Sequence, residues 1–119
     1  MLHDQHALLR VLELVRSGGG ELLSSPTARA MVTNQTGDLP TVLGPGWGFG
    51  FGGAVLLDPA AAQTPHSAGA WTWGGVWGHN WLVDPAQRLV IVSLTNTAIE
   101  GMMGNFPRQV RDAIYAALS

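Results

Sequence analysis

The residues that could contribute to chemistry begin with Trp73, Gly74 and Gly75, a large flat side chain followed by two residues without side chains. Paired glycines allow a bound molecule to lie close against a strand backbone, and an indole ring offers an apolar surface beside it. The same glycines could instead mark a strand kink or a packing contact. The run is therefore a candidate for one wall of an active site, without the residues that would perform the chemistry, and at this point the structural reading stays equally open.

The side chains that usually act as nucleophiles, bases or metal ligands are missing or isolated. There is no Cys, and the absence of Lys removes every mechanism based on a lysine base or Schiff base. His79 has no Ser or Asp placed to form a triad with it, and Ser93 resembles no nucleophile elbow. A small hydrolase with its own nucleophile, such as Ser67 or Ser93, is a further alternative, but no Ser–His–Asp spacing supports it. His3 and His6 could share a metal ion, but two ligands near a terminus do not define a site. We predict no metal site and no cofactor.

Composition limits the classes of protein that the chain can be. Hydrophobic residues make up 46% of its 119 residues and charged residues 12%, against roughly 25% charged residues in an average soluble domain. Because a small domain has a large surface for its volume, this deficit indicates apolar surface that something else normally covers. The net charge of -2 and the scattered arginines argue against nucleic acid and against a polybasic membrane patch. No apolar run approaches the ~18 residues of a membrane span, and the first residues do not resemble a signal peptide.

Apolar spacing predicts a domain of mixed α and β structure with the candidate wall on its second strand. Leu8, Leu12 and Val15 recur at helical spacing, and Ser25-Pro26 combines a capping hydroxyl with a proline at the first helical position. Asn105 can cap the closing helix. The predicted fold is α+β, a three-stranded antiparallel meander with N-terminal helices and a C-terminal helix. Helices are predicted at 6–15, from 25 onward and at 107–118, and strands at 46–58, 70–83 and 89–95.

Aromatic residues dominate the second predicted strand. If residues 70–83 are one strand, four tryptophans and His79 share one face. Aromatic residues in a strand more often pack in a core than bind a ligand, so we single out only Trp73, which directly precedes the glycine pair. The other three, Trp71, Trp77 and Trp81, are expected to be structural.

The third predicted strand has too little cover within the chain. Residues 89–95 are apolar on both faces, which is typical of a strand that is buried on both sides. The closing helix can cover one face, and the N-terminal helices cover part of the other. No further strand is predicted that could pair along the free edge.

The apolar stripe of the closing helix comprises Phe106, Val110, Ile114 and Leu118.

A longer motif around the glycines makes the sequence specific. The run Trp73-Gly-Gly-Val-Trp-Gly-His-Asn-Trp-Leu-Val-Asp-Pro85, followed by Leu89-Val-Ile-Val-Ser-Leu-Thr-Asn96, resembles the third motif and the next strand of a hydrolase superfamily. That superfamily contains the serine β-lactamases, the penicillin-binding proteins and related esterases. The Trp-Gly-Gly form resembles that of the β-lactamase-like carboxylesterases. Ser17-Gly-Gly-Gly-Glu-Leu-Leu-Ser-Ser-Pro26 and Gly46-Trp-Gly-Phe-Gly-Phe51 resemble earlier segments of the family, so the likeness covers nearly the whole chain.

The resemblance implies roles for the residues of the motif. It implies a portion of the β-lactamase/transpeptidase-like fold in which the Val76 N–H is one of two donors of an oxyanion hole. Gly74 and Gly75 would let the substrate approach the backbone. Trp73 stands where the family usually has Lys or His, so a carboxylate-bearing lactam would lose an ionic partner and an apolar ester would gain a surface. The departure favours an esterase over a β-lactamase.

The resemblance also shows which family motifs are not in this sequence. Its nucleophile motif is Ser-x-x-Lys, which needs a lysine, and its second motif is Tyr-x-Asn, whereas Tyr115 is followed by two alanines. In the family both motifs precede this segment, as do two strands that would pair along residues 89–95. We therefore interpret residues 1–119 as a single partial domain.

Two function hypotheses follow from these observations. The first is a C-terminal fragment of a serine hydrolase that acts on carboxylic esters or β-lactams, inactive alone and dependent on a missing N-terminal half. The second is a stand-alone, non-catalytic binding or interaction module that uses an exposed sheet edge, including self-association through strand 89–95. The cellular location stays open.

Overall fold

The computed structural model describes residues 4–118 of the chain, with side chains from residue 6 onward. Within that range five helices and five strands follow one another, and the longest connection between them is the loop 32–46 between α2 and β1. In chain order they are α1 (Asp4–Arg16), α2 (Ser25–Met31), β1 (Trp47–Phe49), β2 (Ala54–Leu56), α3 (Pro59–Ala62), β3 (Trp71–Gly75), β4 (His79–Asp84), β5 (Leu89–Leu94), α4 (Glu100–Met103) and α5 (Asn105–Leu118).

The five strands form one antiparallel sheet in the order β1-β2-β3-β4-β5. This arrangement confirms the predicted α+β meander with N-terminal helices and a C-terminal helix, but the predicted number of three strands is wrong. The predicted strand 46–58 is a hairpin that turns where the Gly50 N–H bonds to the Gly53 carbonyl at 2.8 Å. The predicted strand 70–83 is also a hairpin, formed by β3 and β4.

The second hairpin could not be detected from period-2 spacing. Gly75 pairs with His79, and Trp73 pairs with Trp81, so each pair of opposite residues is separated by an even number of positions. Residues directly opposite each other in a sheet point to the same face. Side chains therefore alternate in the same way in the hairpin as they would in one continuous strand.

Helices cover both faces of the sheet. On one face Leu12 and Val15 of α1 pack in a cluster with Val55, Trp71 and Val83, which confirms the first predicted helix. On the other face, α5 contributes Tyr115 to a cluster that also contains Leu56, Ala70 and Leu82.

Two details of the predicted helices are wrong. Helix α2 is capped by Ser24 rather than Ser25, because the Ser24 hydroxyl accepts a hydrogen bond from the Thr27 N–H at 3.2 Å. In α5 the ends of the predicted stripe, Phe106 and Leu118, are 41% and 50% exposed. The helix is instead oriented by a tyrosine, whose hydroxyl donates to a buried carboxylate beneath the helix.

The free edge that the sequence predicts at residues 89–95 corresponds to the outer edge of β5 in the sheet. Within the described residues, β5 pairs with β4 and has no strand on its other side. An open groove of about 360 Å³ follows this edge between α1 and α5. Leu9 on its α1 side is 41% exposed. The remaining lining residues are His6, Leu89, Val90, Ile91, Val92 and Ile114.

A buried carboxylate ties three segments together at the end of the sheet where β5 begins. Asp84, the last residue of β4, is completely buried. Its carboxylate accepts hydrogen bonds from the Tyr115 hydroxyl, from the Ser67 N–H at 3.1 Å and from the Gln87 N–H at 3.4 Å. Burial would raise the pKa of Asp84, but the hydrogen bonds from Tyr115 and Ser67 outweigh burial and lower the pKa. The His66 ring packs edge to face against the Tyr115 ring, with the ring centroids 5.4 Å apart.

We expect the stability of the fold to decrease in two steps on acidification. Burial, followed by the nearby Arg111, lowers the pKa of His66 from 6.5 to about 4. The unfolded chain binds a proton at His66 at higher pH than the folded chain, so stability is full above about pH 6.5 and falls toward pH 4 by on the order of 2–3 kcal/mol. The stabilisation that Asp84 contributes is lost at still lower pH, below the pKa of this residue in the unfolded chain, because its pKa in the folded chain is lowered.

Urea unfolding at a series of pH values measures this dependence. His66→Gln removes the first titration, so the variant should show a flat profile between pH 6.5 and pH 4 and keep the loss below pH 4. An unchanged slope in the variant would contradict the assignment to His66.

Candidate active site

The hairpin of β3 and β4 places the candidate wall at one end of the sheet. The Gly78 N–H donates to the Gly75 carbonyl at 3.0 Å and closes a β-turn over Val76 and Trp77. Gly78 has φ +117°, while both central residues have negative φ, as a type I turn requires. Glycine followed by a strand is a hairpin signal that could have revealed this turn in the sequence.

The outer side of β3 is open beside the glycines. β2 pairs with β3 only at Trp71 and Thr72, so within the described residues the backbone from Trp73 to Val76 has no strand partner on that side. An extended molecule can therefore lie along this part of β3 without displacing a strand of the chain.

The Val76 N–H is directed toward that open side. In a trans peptide the C=O and the N–H of one unit point in opposite directions. The Gly75 carbonyl accepts a hydrogen bond from Gly78 within the hairpin, so the Val76 N–H in the same peptide unit points away from β4. In the described part of the chain no acceptor bonds to this N–H, and the Val76 side chain is 48% exposed.

The segment after β5 packs under the hairpin and fixes its position. The Ile99 N–H donates to the Val76 carbonyl at 2.6 Å. Thr95 donates to the Gly78 carbonyl twice, through its N–H at 3.1 Å and its hydroxyl at 3.0 Å. The Asn80 side chain donates to the Met102 carbonyl at 3.1 Å. None of these supporting contacts carries a motif in the sequence.

Trp73 is partly buried, and its orientation is set by Phe49. The two rings meet edge to face, with centroids 5.0 Å apart and an interplanar angle of 81°. This geometry is a favourable aromatic contact, so the indole is held by β1 as well as by its own strand.

Packing within the chain leaves no room for a Cβ at Gly74 and only a tight fit at Gly75. A Cβ on Gly74 would lie 2.6 Å from the His79 carbonyl oxygen and 2.8 Å from a Met102 side-chain carbon. A Cβ on Gly75 would lie 2.9 Å from the imidazole Nδ1 of His79. The packing contact that was the structural alternative for these glycines therefore exists. A role in letting the substrate approach the backbone would come in addition to it.

The other tryptophans divide into two groups. Trp71 is 3% exposed and packs against Trp81, with ring centroids 4.6 Å apart, as expected for structural residues. The same prediction is wrong for Trp77, which is 72% exposed. Trp77 occupies the tip of the β-turn, where no sheet surface is available to cover its ring.

The remaining candidates do not form a second catalytic group. Ser67 lies in the loop before β3, where its N–H binds Asp84. Ser93 lies within β5 opposite Asn80. His79 lies opposite Gly75, and its side chain bonds to no Ser or Asp in the described range. The suggestion that His3 and His6 share a metal ion includes His3, which lies outside the described residues.

Comparison with known proteins identifies the family. Residues 4–115 match the family described as Beta-lactamase. The chain belongs to the beta-lactamase family. Esterase EstB of Burkholderia gladioli is 50% identical over 109 residues, which cover 92% of this chain and 28% of EstB. The resemblance to the β-lactamase-like esterases is therefore confirmed.

Solved structures share the fold of this beta-lactamase family member. EstCE1, described as a hydrolase with promiscuous acyltransferase activity, matches with a TM-score of 0.87 and 47% identity over 92% of this chain and 29% of EstCE1. A variant of the simvastatin synthase LovD from Aspergillus terreus matches with a TM-score of 0.72 at 20% identity, over 91% of this chain and 32% of LovD, and shows the fold alone. The chain thus spans less than a third of the length of each of these proteins.

One further finding concerns membranes. Among the described residues, no helix is both long enough and apolar enough to cross a bilayer.

Proposed function

We propose that this chain forms the C-terminal part of the catalytic domain of a serine hydrolase that acts on carboxylic esters. The observation that carries the proposal is the Val76 N–H on the open side of β3, which binds no acceptor among residues 4–118, in a chain that is 50% identical to an esterase over 109 residues. The rest of the domain would supply the serine nucleophile. It would also supply a lysine, a residue type that this sequence does not contain.

The Val76 N–H would act on charge that develops during acyl transfer. A serine Oγ attacks the ester carbonyl carbon and transfers its proton to a neighbouring base, while the carbonyl π electrons move to the oxygen. The Val76 N–H donates to that oxyanion. The carbonyl then re-forms as the bond to the alcohol breaks, the alcohol takes up the proton, and water releases the acid by the same route.

Trp73 would set the preference for esters. An indole has no charge with which to pair the carboxylate of a β-lactam, and its surface favours an apolar acyl or alcohol group. The contact with Phe49 holds the ring beside Gly74 and Gly75, so this surface is preformed. A preformed surface avoids part of the ordering cost of binding.

The free edge of β5 supports the proposal that residues 1–119 are a partial domain. Apart from His6, the groove beside it is lined by aliphatic residues, of which Leu9 is exposed. Strands from the rest of the hydrolase domain would pair along β5 and cover this groove. The alternative of an interaction module, including self-association, uses the same edge.

A chimera tests the proposal directly. This chain is inserted into EstB in place of the segment that it matches, so that EstB supplies the remaining part of the domain. We expect the chimera to hydrolyse an activated short-chain ester and the 119-residue chain alone to show no turnover. Turnover by the purified chain alone, or a folded chimera without esterase activity, would contradict the proposal. A stable dimer of the lone chain whose interface protects β5 would favour the interaction module.

A further inference from the structure

Ile99 adopts a backbone conformation that its side chain disfavours. Its φ is +67° and its ψ is -54°, and it is a β-branched residue. The Glu100 N–H donates to the Ala98 carbonyl at 2.7 Å, so Ile99 is the central residue of a γ-turn with positive φ. This type of γ-turn is rare and strained.

Burial of the side chain does not account for the strain. The Ile99 side chain is 57% exposed, so little apolar area is gained by placing isoleucine at this position. The backbone, by contrast, is fully engaged, because the Ile99 carbonyl accepts hydrogen bonds from Met102 at 3.1 Å and Met103 at 2.9 Å at the start of α4. A glycine would adopt the same φ without a steric cost.

The γ-turn directs one hydrogen bond to Val76, the residue whose N–H is the candidate oxyanion donor. The Ile99 N–H reaches the Val76 carbonyl at 2.6 Å. The carbonyl of the preceding residue, Gly75, is held by Gly78 at 3.0 Å. Both peptide units that flank the Val76 Cα are therefore fixed, and together they set the direction of the Val76 N–H.

We propose that Ile99 is a positioning residue of the acyl-transfer site, in which a strained γ-turn holds the Val76 peptide so that its N–H is aimed before the substrate binds. This inference rests on the proposed function. A preorganised donor stabilises transition-state charge without reorganising during the reaction, and strained residues near active sites commonly serve such preorganisation. Once the surrounding hydrogen bonds place residue 99 in this conformation, the branched side chain leaves the backbone few neighbouring conformations to move into, whereas glycine would leave many.

Ile99→Gly separates the positioning role from a structural role. In the chimera we expect kcat to fall about tenfold with little change in KM, because the hydrogen bond to Val76 is made for only part of the time. The thermal midpoint should change little, since the relief of strain and the greater conformational entropy of glycine in the unfolded chain oppose each other. A purely structural role would instead lower the thermal midpoint and affect kcat only through the loss of folded protein.

Arg88→Gly is the matched control. Arg88 is also a non-glycine residue with positive φ, at +53°, and it is exposed at the β4–β5 turn, at the opposite end of the sheet. Glycine there also removes a side chain from a residue with positive φ but does not touch the site, so kcat should be unchanged. An Ile99→Gly variant that behaves like Arg88→Gly in kcat would overturn the inference.

Amide hydrogen exchange in the 119-residue chain tests the contact without catalysis. The residue 99 amide should be protected in the parent chain and should exchange at least about tenfold faster in Ile99→Gly, while β4 and β5 amides keep their protection. Unprotected exchange at Ile99 in the parent chain would overturn the inference. A folded parent chimera that lacks esterase activity would contradict the proposed function instead, and the exchange result would still decide the contact.

Discussion

Val76→Pro in the EstB chimera should lower kcat about 10²–10³-fold, the loss that follows removal of one oxyanion-hole donor. Proline has no backbone N–H, so the substitution deletes the proposed donor and leaves the rest of the β-turn in place. The folded protein loses no hydrogen bond, because within the described residues the Val76 N–H has no acceptor. The loss should fall mainly on kcat, since the oxyanion exists only during the reaction.

The turn geometry keeps this substitution interpretable. Val76 is the second residue of the turn closed by Gly75 and Gly78, and proline is favoured at that position of a type I turn. The residue before it is in a strand, which is the conformation that a following proline requires. We therefore expect the urea midpoint of the variant to stay close to that of the parent chimera.

Val42→Pro is a matched control at a second turn. Val42 is the second residue of a turn in which the Gly44 N–H donates to the Thr41 carbonyl at 3.0 Å, and its side chain is 85% exposed. Like Val76, it is a valine at the second position of a turn whose fourth residue is glycine, but it lies in the loop before β1. Normal kcat in Val42→Pro with a large loss in Val76→Pro supports the donor. A Val76→Pro chimera within about threefold of the parent would show that this N–H does not stabilise the transition state.

Gly78→Ala should be the most destabilising of the alanine substitutions at the hairpin, at about 3 kcal/mol. Two costs combine there. The residue has φ +117°, and a Cβ would contact the Thr95 hydroxyl and lie 2.8 Å from the Thr95 carbonyl oxygen. These atoms belong to the support beneath the turn, so they cannot move away without breaking the hydrogen bonds to the Gly78 carbonyl.

Two other glycines separate the costs. Gly44 has φ +89° and nothing within 4 Å of the position that a Cβ would occupy, so alanine there should cost only the conformational part, about 1–2 kcal/mol. Gly101 has no positive φ, but its Cβ would contact the Thr95 hydroxyl and lie 2.7 Å from the Gly78 carbonyl oxygen, which should cost about 1–2 kcal/mol.

Urea midpoints of the three variants measure these differences. The loss in Gly78→Ala should approach the sum of the other two losses, because it combines both effects at one residue. Equal losses in Gly78→Ala and Gly44→Ala would show that the segment after β5 does not restrain the turn, and would also weaken the case for Ile99 as a positioning residue.

Local pattern alone was sufficient for several elements. The helical spacing of Leu8, Leu12 and Val15 predicts α1, because one face of a helix must be buried against the sheet. The apolar run of β5 predicts a strand that needs a further neighbour, and β5 is at the edge of the sheet. The Trp73-Gly74-Gly75 motif indicates the family, since it lies in an ordered series of matches along the chain.

Pairing and three-dimensional contact decided the rest. Side-chain alternation is the same in a continuous strand and in the β3–β4 hairpin, so the hydrophobic pattern by itself could not decide the number of strands. The burial of Asp84 depends on Tyr115, which lies 31 positions away and carries no local signal. The exposure of Trp77 depends on its place at the tip of the turn.

The candidate wall shows the same division. The sequence by itself determined the residue types on the wall and the family to which the chain belongs, because both depend on local motif and composition. Only the tertiary structure decided where the Val76 N–H points, since that direction is set by two carbonyls and their partners Gly78 and Ile99. The Ile99 contact joins the hairpin to a segment beyond β5, and no spacing rule relates residues that meet only after the sheet has formed.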